Sequence, residues 1–496
     1  MRNIELEITD EVIRRVPNFY SHLHFHPTDA IEDEWGRANL EKFRDGGVAR
    51  SIRMYAMLED IVSVDGDGRF VYDFSLNDQR IEQLLSLGFD IVLCYNFIPP
   101  CIASDIDDFT TNSKNKTRYK GKVINTSPPR DYSLWEEVCY QYTRHIVDQF
   151  GIDTVSRFYI QCFNEPDIPS FFLSKLDESD ESVNKRFAEY VKLYSHFASA
   201  ICRVSEKLQI GGPVLAYQMS FFKSFLRFVR ESGVKLDFIS LHNYSGCTPQ
   251  KLMDGDTLSV ERAVALTESY VEAIREAGLS DKKLVIDEWG ASACGFCDID
   301  TTPKLIFRET EVFSAFYARL VARYIELGVP IDRMLICLSG QHEMEIEFGG
   351  FRGLLTKSGY PKPIFNAYSL ASRLGERLLR FECGDSDCLK VIPTRRESGA
   401  LAILAVYSSD TFDEDLPDAR VRIFGLEKGN YRVFKIDKEN SNGYAAFKAL
   451  CPDGKISVEA HESIKKASEL SFEAFSVEEE LELALSANCV ILIESI

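Results

Sequence analysis

Short apolar runs alternate with longer amphipathic ones along most of this chain. Phe19–Phe25, Arg50–Met57, Asp90–Phe97, Phe158–Phe163, Gln209–Gly212, Phe238–Tyr244, Lys283–Asp287 and Arg333–Ser339 have the length and apolar content of buried strands. Between them, Leu76–Leu87, Tyr132–Phe150, Phe187–Leu208, Val260–Ala277 and Thr310–Leu327 carry apolar residues at helical spacing. Gly88, Gly151, Gly278 and Gly328 each follow one of these helical stretches, where a helix-ending glycine belongs. Eight strand–helix units in succession imply an α/β chain folded as a (β/α)8 TIM barrel. After about Gly375 the helical period largely gives way to strand runs at Leu401–Tyr407, Arg420–Phe424, Tyr431–Ile436 and Cys489–Ile493. Turn signals such as Glu427-Lys428-Gly429-Asn430 and Asp453-Gly454-Lys455 separate them, so the end of the chain reads as an accessory C-terminal β-sandwich.

Two acidic motifs stand at the ends of predicted strands. Asn164-Glu165-Pro166 follows the fourth, and Asp287-Glu288-Trp289-Gly290 closes the seventh, 123 residues further on. In a parallel barrel, the C-terminal ends of the strands display catalytic groups. Two facing carboxylates are the minimum equipment for breaking a glycosidic bond, one as proton donor and the other as nucleophile or base. Either motif alone reads as an ordinary solvated loop glutamate in a chain with 77 acidic residues. Their common placement in the strand–helix repeat favours the catalytic reading.

A longer series of segments resembles the retaining glycoside hydrolases of clan A, and within it family 39, the β-xylosidases and α-L-iduronidases. Phe163-Asn164-Glu165-Pro166-Asp167 is similar to that family's acid/base signature. Ser127-Pro128-Pro129-Arg130-Asp131-Tyr132 followed by Trp135, Gly211-Gly212-Pro213 and Phe238–Tyr244 resemble its helix three and strands five and six. Phe348–Leu355, Lys362-Pro363 and Asn366-Ala367-Tyr368 resemble its final loop and eighth helix. The resemblance implies that Glu165 is the acid/base and Glu288 the nucleophile, with Asn164 bonding the sugar 2-hydroxyl. Substrate contacts are expected from His242 and Tyr244, which alternate around Asn243, and from His24, Tyr55 and Trp289. It also implies that residues 15–375 form the barrel and 376–496 the sandwich. The first strand, within residues 1–14, joins that sandwich, whose role is structural or in homo-oligomer contacts. The expected activity is that of a retaining exo-glycosidase, β-xylosidase-like, with an iduronidase-like or other clan A specificity as the alternative. No cofactor and no metal are implied, and a sugar-binding protein without turnover is the reading from another class.

The sequence departs from the family pattern where the sugar is chosen. Tyr55 stands where family xylosidases carry a histidine, and Gly290-Ala291-Ser292-Ala293 lacks their tyrosine. Phe163 replaces the signature's tryptophan; Asp167 and Asp287 follow the iduronidases, whereas Trp289-Gly290 does not. His22, His24 and His26 alternate on the first strand, a pattern that also opens the metal site of amidohydrolase-type barrels. That site needs histidines on strands five and six, and only His242 stands on one, so a place beside the sugar is the better reading. Cys294-Gly295-Phe296-Cys297 has redox or zinc spacing, but a structural zinc needs four ligands and no second such pair accompanies it. Among thirteen cysteines the pair reads as coincidence.

The odd cysteine count and the absence of an apolar leader at Met1–Glu7 point to a reducing cytoplasm. No apolar run approaches the roughly 20 residues of a membrane span, so no membrane partner is expected. With 57 basic against 77 acidic residues, the net charge of −20 disfavours nucleic acid. That leaves carbohydrate as the expected partner. Ser113–Lys120 forms a basic run in the long segment between strand three and helix three, expected at the barrel mouth.

Overall fold

The computed structural model describes residues 1–25, 31–110, 124–294, 297–338, 346–385 and 387–496. His26, Ser339 and the basic run Ser113–Lys120 lie outside them.

Eight strands close into a barrel: His22–His24, Ser51–Met57, Asp90–Asn96, Tyr159–Cys162, Gln209–Leu215, Phe238–Asn243, Lys283–Trp289 and Ile331–Cys337. Every neighbouring pair is parallel, and the eighth strand pairs with the first. These are the eight runs read from the sequence, with ends shifted by a few residues. The helices Ser75–Ser86, Tyr132–Phe150, Val260–Glu276 and Glu311–Leu327 fall where the helical period places them, while Asp180–Val204 begins seven residues before the predicted Phe187 and ends four before Leu208. Glu34–Asp45, Met219–Ser232 and Pro363–Ala371 complete the ring. Phe221, Phe222, Phe225, Leu226 and Val229 make the buried stripe of the second of these, the spacing that holds a helix against a sheet. Gly151 (φ 81°) and Gly328 (φ 67°) end their helices with a positive φ that other residues adopt only under strain.

The rest of the chain forms one nine-stranded sheet. Its pairings are antiparallel except where the N-terminal strand Arg2–Arg15 runs parallel to Ala419–Phe424; on its other side that strand pairs with Arg377–Cys383. The two edge strands, Phe472–Val477 and Leu481–Leu485, lie at opposite ends of the strand order. Only three residues connect them, so the sheet curls around its own core of Ile4, Leu6, Ile403, Val421, Leu483 and Ile491. Leu401–Tyr407 is buried along its whole length because both faces are covered. Ile403 faces that inner core, whereas Ala402, Leu404 and Val406 join the core of the barrel.

Two helices interrupt the expected all-strand pattern, Gly443–Leu450 and Val458–Ser468. They pack against each other and cover Phe348 and Tyr360 of the loop after the eighth barrel strand. Gly443–Leu450 is only partly buried, and because nearly all its residues are apolar it shows no clear alternation of apolar and polar faces.

Candidate active site

Period-two alternation on the seventh strand aims Glu288 into the barrel and Trp289 away from it. Trp289 is buried among Phe316, Tyr317 and Tyr368 of the helix layer, and its indole N–H donates to the Tyr368 hydroxyl at 3.1 Å. The expectation that Trp289 touches substrate is therefore corrected: it is a packing residue between strand and helices. On the sixth strand, Asn243 faces outward in the same way and bonds Ala263 and Thr267, while His242 and Tyr244 face in. A register shift between Leu241 and His242 sets His242 opposite Glu288.

Glu165 stands just beyond the fourth strand with φ 46°, and Phe163 two residues earlier has φ 68°. Non-glycine residues held in this region mark sites that their surroundings over-determine. The Glu165 N–H donates to the Val214 carbonyl at 3.0 Å. The buried carboxylate of Asp167 accepts from the N–H groups of Ala216, Tyr217 and Gln218 at 2.8–3.0 Å. The acidic turn is thereby fastened to the end of the fifth strand.

One oxygen of Glu165, a ring nitrogen of His242 and one oxygen of Glu288 lie within 4.8 Å of one another. His242 Nδ1 is 2.7 Å from Glu165 Oε1. Glu288 Oε1 accepts from Arg53 Nη1 at 2.7 Å and from the Tyr55 hydroxyl at 3.2 Å, and His24 Nδ1 is 3.2 Å away. The Tyr244 hydroxyl donates to Glu288 Oε2 at 2.5 Å. Arg53 Nη2 holds the carbonyl oxygen of Asn164 at 2.8 Å. His24, Tyr55, Asn164, His242 and Tyr244 are thus all brought to the two glutamates.

These contacts separate the two carboxyls electrostatically. Burial raises the pKa of Glu165, and the charge of Glu288 adds to that rise against the opposing His242. Burial acts the same way on Glu288, but His242, His24 and Arg53 more than offset it and hold its carboxyl well below the usual carboxylate range. Burial and the charge of Arg53 push His24 down to about 4, so it stays neutral at pH 7. His242 is opposed by burial, yet Glu288 and Asp287 push it up to about 10.

Arg53 ties this arrangement together and was not singled out by the sequence. It is wholly buried, donates to Gln161 at 2.8 Å and lies 3.4 Å from Asp287. The available signal was a charged residue in the middle of an otherwise apolar barrel strand, two residues before Tyr55 and so on the same face. Gln161 on the fourth strand carries the same signal and donates to Asp287 at 2.8 Å.

His22 points away from this cluster to Ser51 and the Asn18 carbonyl. Among the described residues, His24, Glu288 and Cys337, and separately Glu165, His242 and Glu288, are spaced closely enough to share an ion. Arg53 already occupies Glu288, so a protein cation stands where a metal would have to compete. Cys294 and Cys297, on the loop after Glu288, are joined by a disulfide with Cα atoms 5.8 Å apart. Their spacing is therefore not coincidental. The bond staples a segment whose carbonyls at Ser292 and Cys294 accept from Arg308 at 3.1 Å.

A parallel barrel with carboxylates at the ends of its fourth and seventh strands defines the class of barrel glycosidases. Residues 7–477 match the sequence profile of Glycosyl hydrolases family 39, and the chain belongs to that family. It is 27% identical over 471 residues to a β-xylosidase of Caldicellulosiruptor saccharolyticus, covering 91% of this chain and 88% of that protein. Its fold is similar to the crystal structure of a monomeric β-xylosidase from Caulobacter crescentus CB15, with a TM-score of 0.80 at 21% identity over 100% of this chain and 99% of that one. It is also similar to a bacterial orthologue of human α-L-iduronidase, with a TM-score of 0.75 at 15% identity over 100% and 84% of the two chains. The protein is a glycoside hydrolase, and no helix among the described residues is long and apolar enough to cross a membrane.

Proposed function

We propose that this chain is an exo-acting retaining glycosidase for a small β-xyloside-like glycoside, with Glu165 as acid/base and Glu288 as nucleophile. The observation that carries this reading is the opposite electrostatic setting of two carboxyls whose nearest oxygens are within 4.8 Å. Retaining enzymes keep their carboxyls about 5–5.5 Å apart, whereas inverting ones leave room for a water between them at roughly 6.5–9.5 Å. Glu288, kept ionised chiefly by His242 and also by Arg53, attacks the anomeric carbon. Glu165 protonates the departing oxygen and then, as a base, activates water against the glycosyl-enzyme ester. With its pKa pushed up by Glu288 and Asp287, His242 serves as the donor at 2.7 Å from Glu165 Oε1, which leaves Oε2 free for the proton. Arg53 holds the Asn164 carbonyl and leaves the amide donors for a sugar hydroxyl. The identity of the sugar rests on the β-xylosidase relative.

A panel of 4-nitrophenyl xyloside, arabinoside, glucoside and galactoside tests this directly. Turnover of the β-xyloside, with a product whose first-formed anomer is β by NMR, is expected. Failure to turn over any member, or a first-formed α-anomer, would sink the reading.

The pKa directions also fix a pH profile. Glu288 must be ionised, so activity is lost as pH falls through its depressed pKa, below the usual carboxylate range. Glu165 must be protonated, so activity is lost as pH rises through its elevated pKa. The bell in kcat/KM should therefore be broad, and Glu165→Gln should remove its basic limb for substrates with acidic leaving groups. A basic limb left in place by that change would assign it to another residue.

A further inference from the structure

Tyr217 is an exposed aromatic residue beside the acid/base turn that the mechanism does not use. It follows the fifth barrel strand by two residues, and 50% of its surface is open to solvent. Tyr190, Tyr194 and Tyr270 of the helix layer are by contrast wholly buried. An apolar side chain standing alone on a surface is ordinary and needs no explanation. Tyr217 differs because it is fastened at both ends to the segment that carries Glu165. Its backbone N–H donates to Asp167, two residues after Glu165, at 3.0 Å. Its hydroxyl donates to Glu178, on the stretch that leads from the acid/base turn to the helix Asp180–Val204. Burial raises the pKa of this hydroxyl, and the charges of Glu178, Asp167 and Glu165 add to the rise. The ring is therefore within electrostatic reach of the proton donor itself.

With its amide and its hydroxyl both engaged, Tyr217 presents chiefly its ring to solvent. A ring held in this way has already lost its rotamer freedom, so covering it costs little further ordering. A pyranose has an apolar face made by its axial C–H groups, and a flat aromatic side chain is the surface against which such a face packs. Glu178 lies at the rim of the ring, and its carboxylate accepts more bonds than the one from Tyr217, which leaves acceptor capacity for sugar hydroxyls.

The position of the ring decides which part of the substrate it meets. The glycone is the part that reaches Glu288. The leaving oxygen is the atom that Glu165 protonates, so the group beyond it lies over the acid/base turn, where Tyr217 stands. Building on the reading of Glu165 as the acid/base, we propose that Tyr217 is the platform of a leaving-group subsite on which a second pyranose ring packs. The enzyme then prefers a disaccharide to a simple alkyl glycoside of the same sugar.

The test compares two β-D-xylosides whose leaving groups both need the proton donor. Xylobiose has a ring beyond the leaving oxygen, and methyl β-D-xyloside has none. In Tyr217→Ala, the xylobiose-to-methyl-xyloside ratio of kcat/KM should fall by roughly tenfold, the size of one packed aromatic contact. In Tyr217→Phe, which keeps the ring and loses the bond to Glu178, most of the ratio should be recovered. Both variants keep the backbone N–H that holds Asp167, and thermal unfolding checks that they fold. A change that merely disturbed Glu165 would slow both substrates together, so an equal loss on the two in Tyr217→Ala overturns the proposal, as does an unchanged ratio. Calorimetry on the wild type with xylose and S-linked thioxylobiose, which is not cleaved, needs neither a variant nor turnover. Tighter binding of the thiodisaccharide supports the proposal, and equal or weaker binding overturns it. If the aryl glycoside panel selects another glycone, the methyl glycoside, the disaccharide and the thiodisaccharide of that sugar carry the same comparison. Failure of the xyloside reading and failure of the platform are thus read separately.

Discussion

Replacing Glu288 with alanine is expected to lower kcat/KM on every glycoside by roughly five orders of magnitude, about 7 kcal/mol of transition-state stabilisation. The covalent intermediate needs an ionised carboxylate at the anomeric carbon, and the neighbourhood holds no substitute. Asp287, the adjacent acid, is wholly buried and engaged by Gln161 and Arg53. Glu165 has its ionised form disfavoured by burial and sits on the leaving-group side. The loss should be independent of the leaving group, because no proton donor can replace a missing nucleophile. Steady-state kinetics on aryl glycosides of graded acidity measure it, with thermal unfolding confirming that the variant folds. Arg53 retains Asp287 as a partner in that variant, so the fold is expected to survive. A residual activity within about 100-fold of wild type would mean that another group forms the intermediate.

Glu165→Ala should behave differently with each substrate. An acidic phenol departs without a proton, so the first step with 2,4-dinitrophenyl glycosides should be nearly as fast as in the wild type. Glycosides with alkyl or sugar leaving groups need the donor, and for them the first step should slow by roughly 10³-fold or more. Deglycosylation should slow for all of them, because the same carboxyl activates water. For dinitrophenyl substrates the intermediate then accumulates, and kcat and KM fall together. Pre-steady-state bursts would report this. Equal losses across the series would remove Glu165 from the acid/base role.

The sequence made most of the barrel legible, for a physical reason. A parallel strand covered on both faces must be apolar throughout, and a helix covering it must carry a stripe every three to four residues, so each leaves its own period. The curled sheet was readable by the same rule in Leu401–Tyr407, whereas the short, almost wholly apolar helix Gly443–Leu450 left no period to see. The two glutamates were legible because they stand at strand ends within short motifs. Arg53 was harder. It sits in the middle of a strand, and what distinguishes it is which charges meet it across the barrel, Glu288 and Asp287, a long-range property that no local period encodes. Trp289 shows the reverse error: adjacency to Glu288 suggested a shared role, but alternate residues of a strand face opposite layers. Cys294 and Cys297 were misread because composition argued against disulfides throughout the chain, whereas the bond is local to one loop.

The two roles are separated most directly by rescue with azide, an anion that needs no general base. Azide added to Glu165→Ala should intercept the covalent intermediate on the face that water normally uses and release a glycosyl azide of retained configuration. In Glu288→Ala, azide should occupy the space left by the missing carboxylate, attack the substrate itself and give the inverted azide. NMR of the two products reads the configurations. Retained azide from Glu165→Ala with inverted azide from Glu288→Ala is the predicted result, and the opposite pairing would show that the acid/base and the nucleophile have been exchanged.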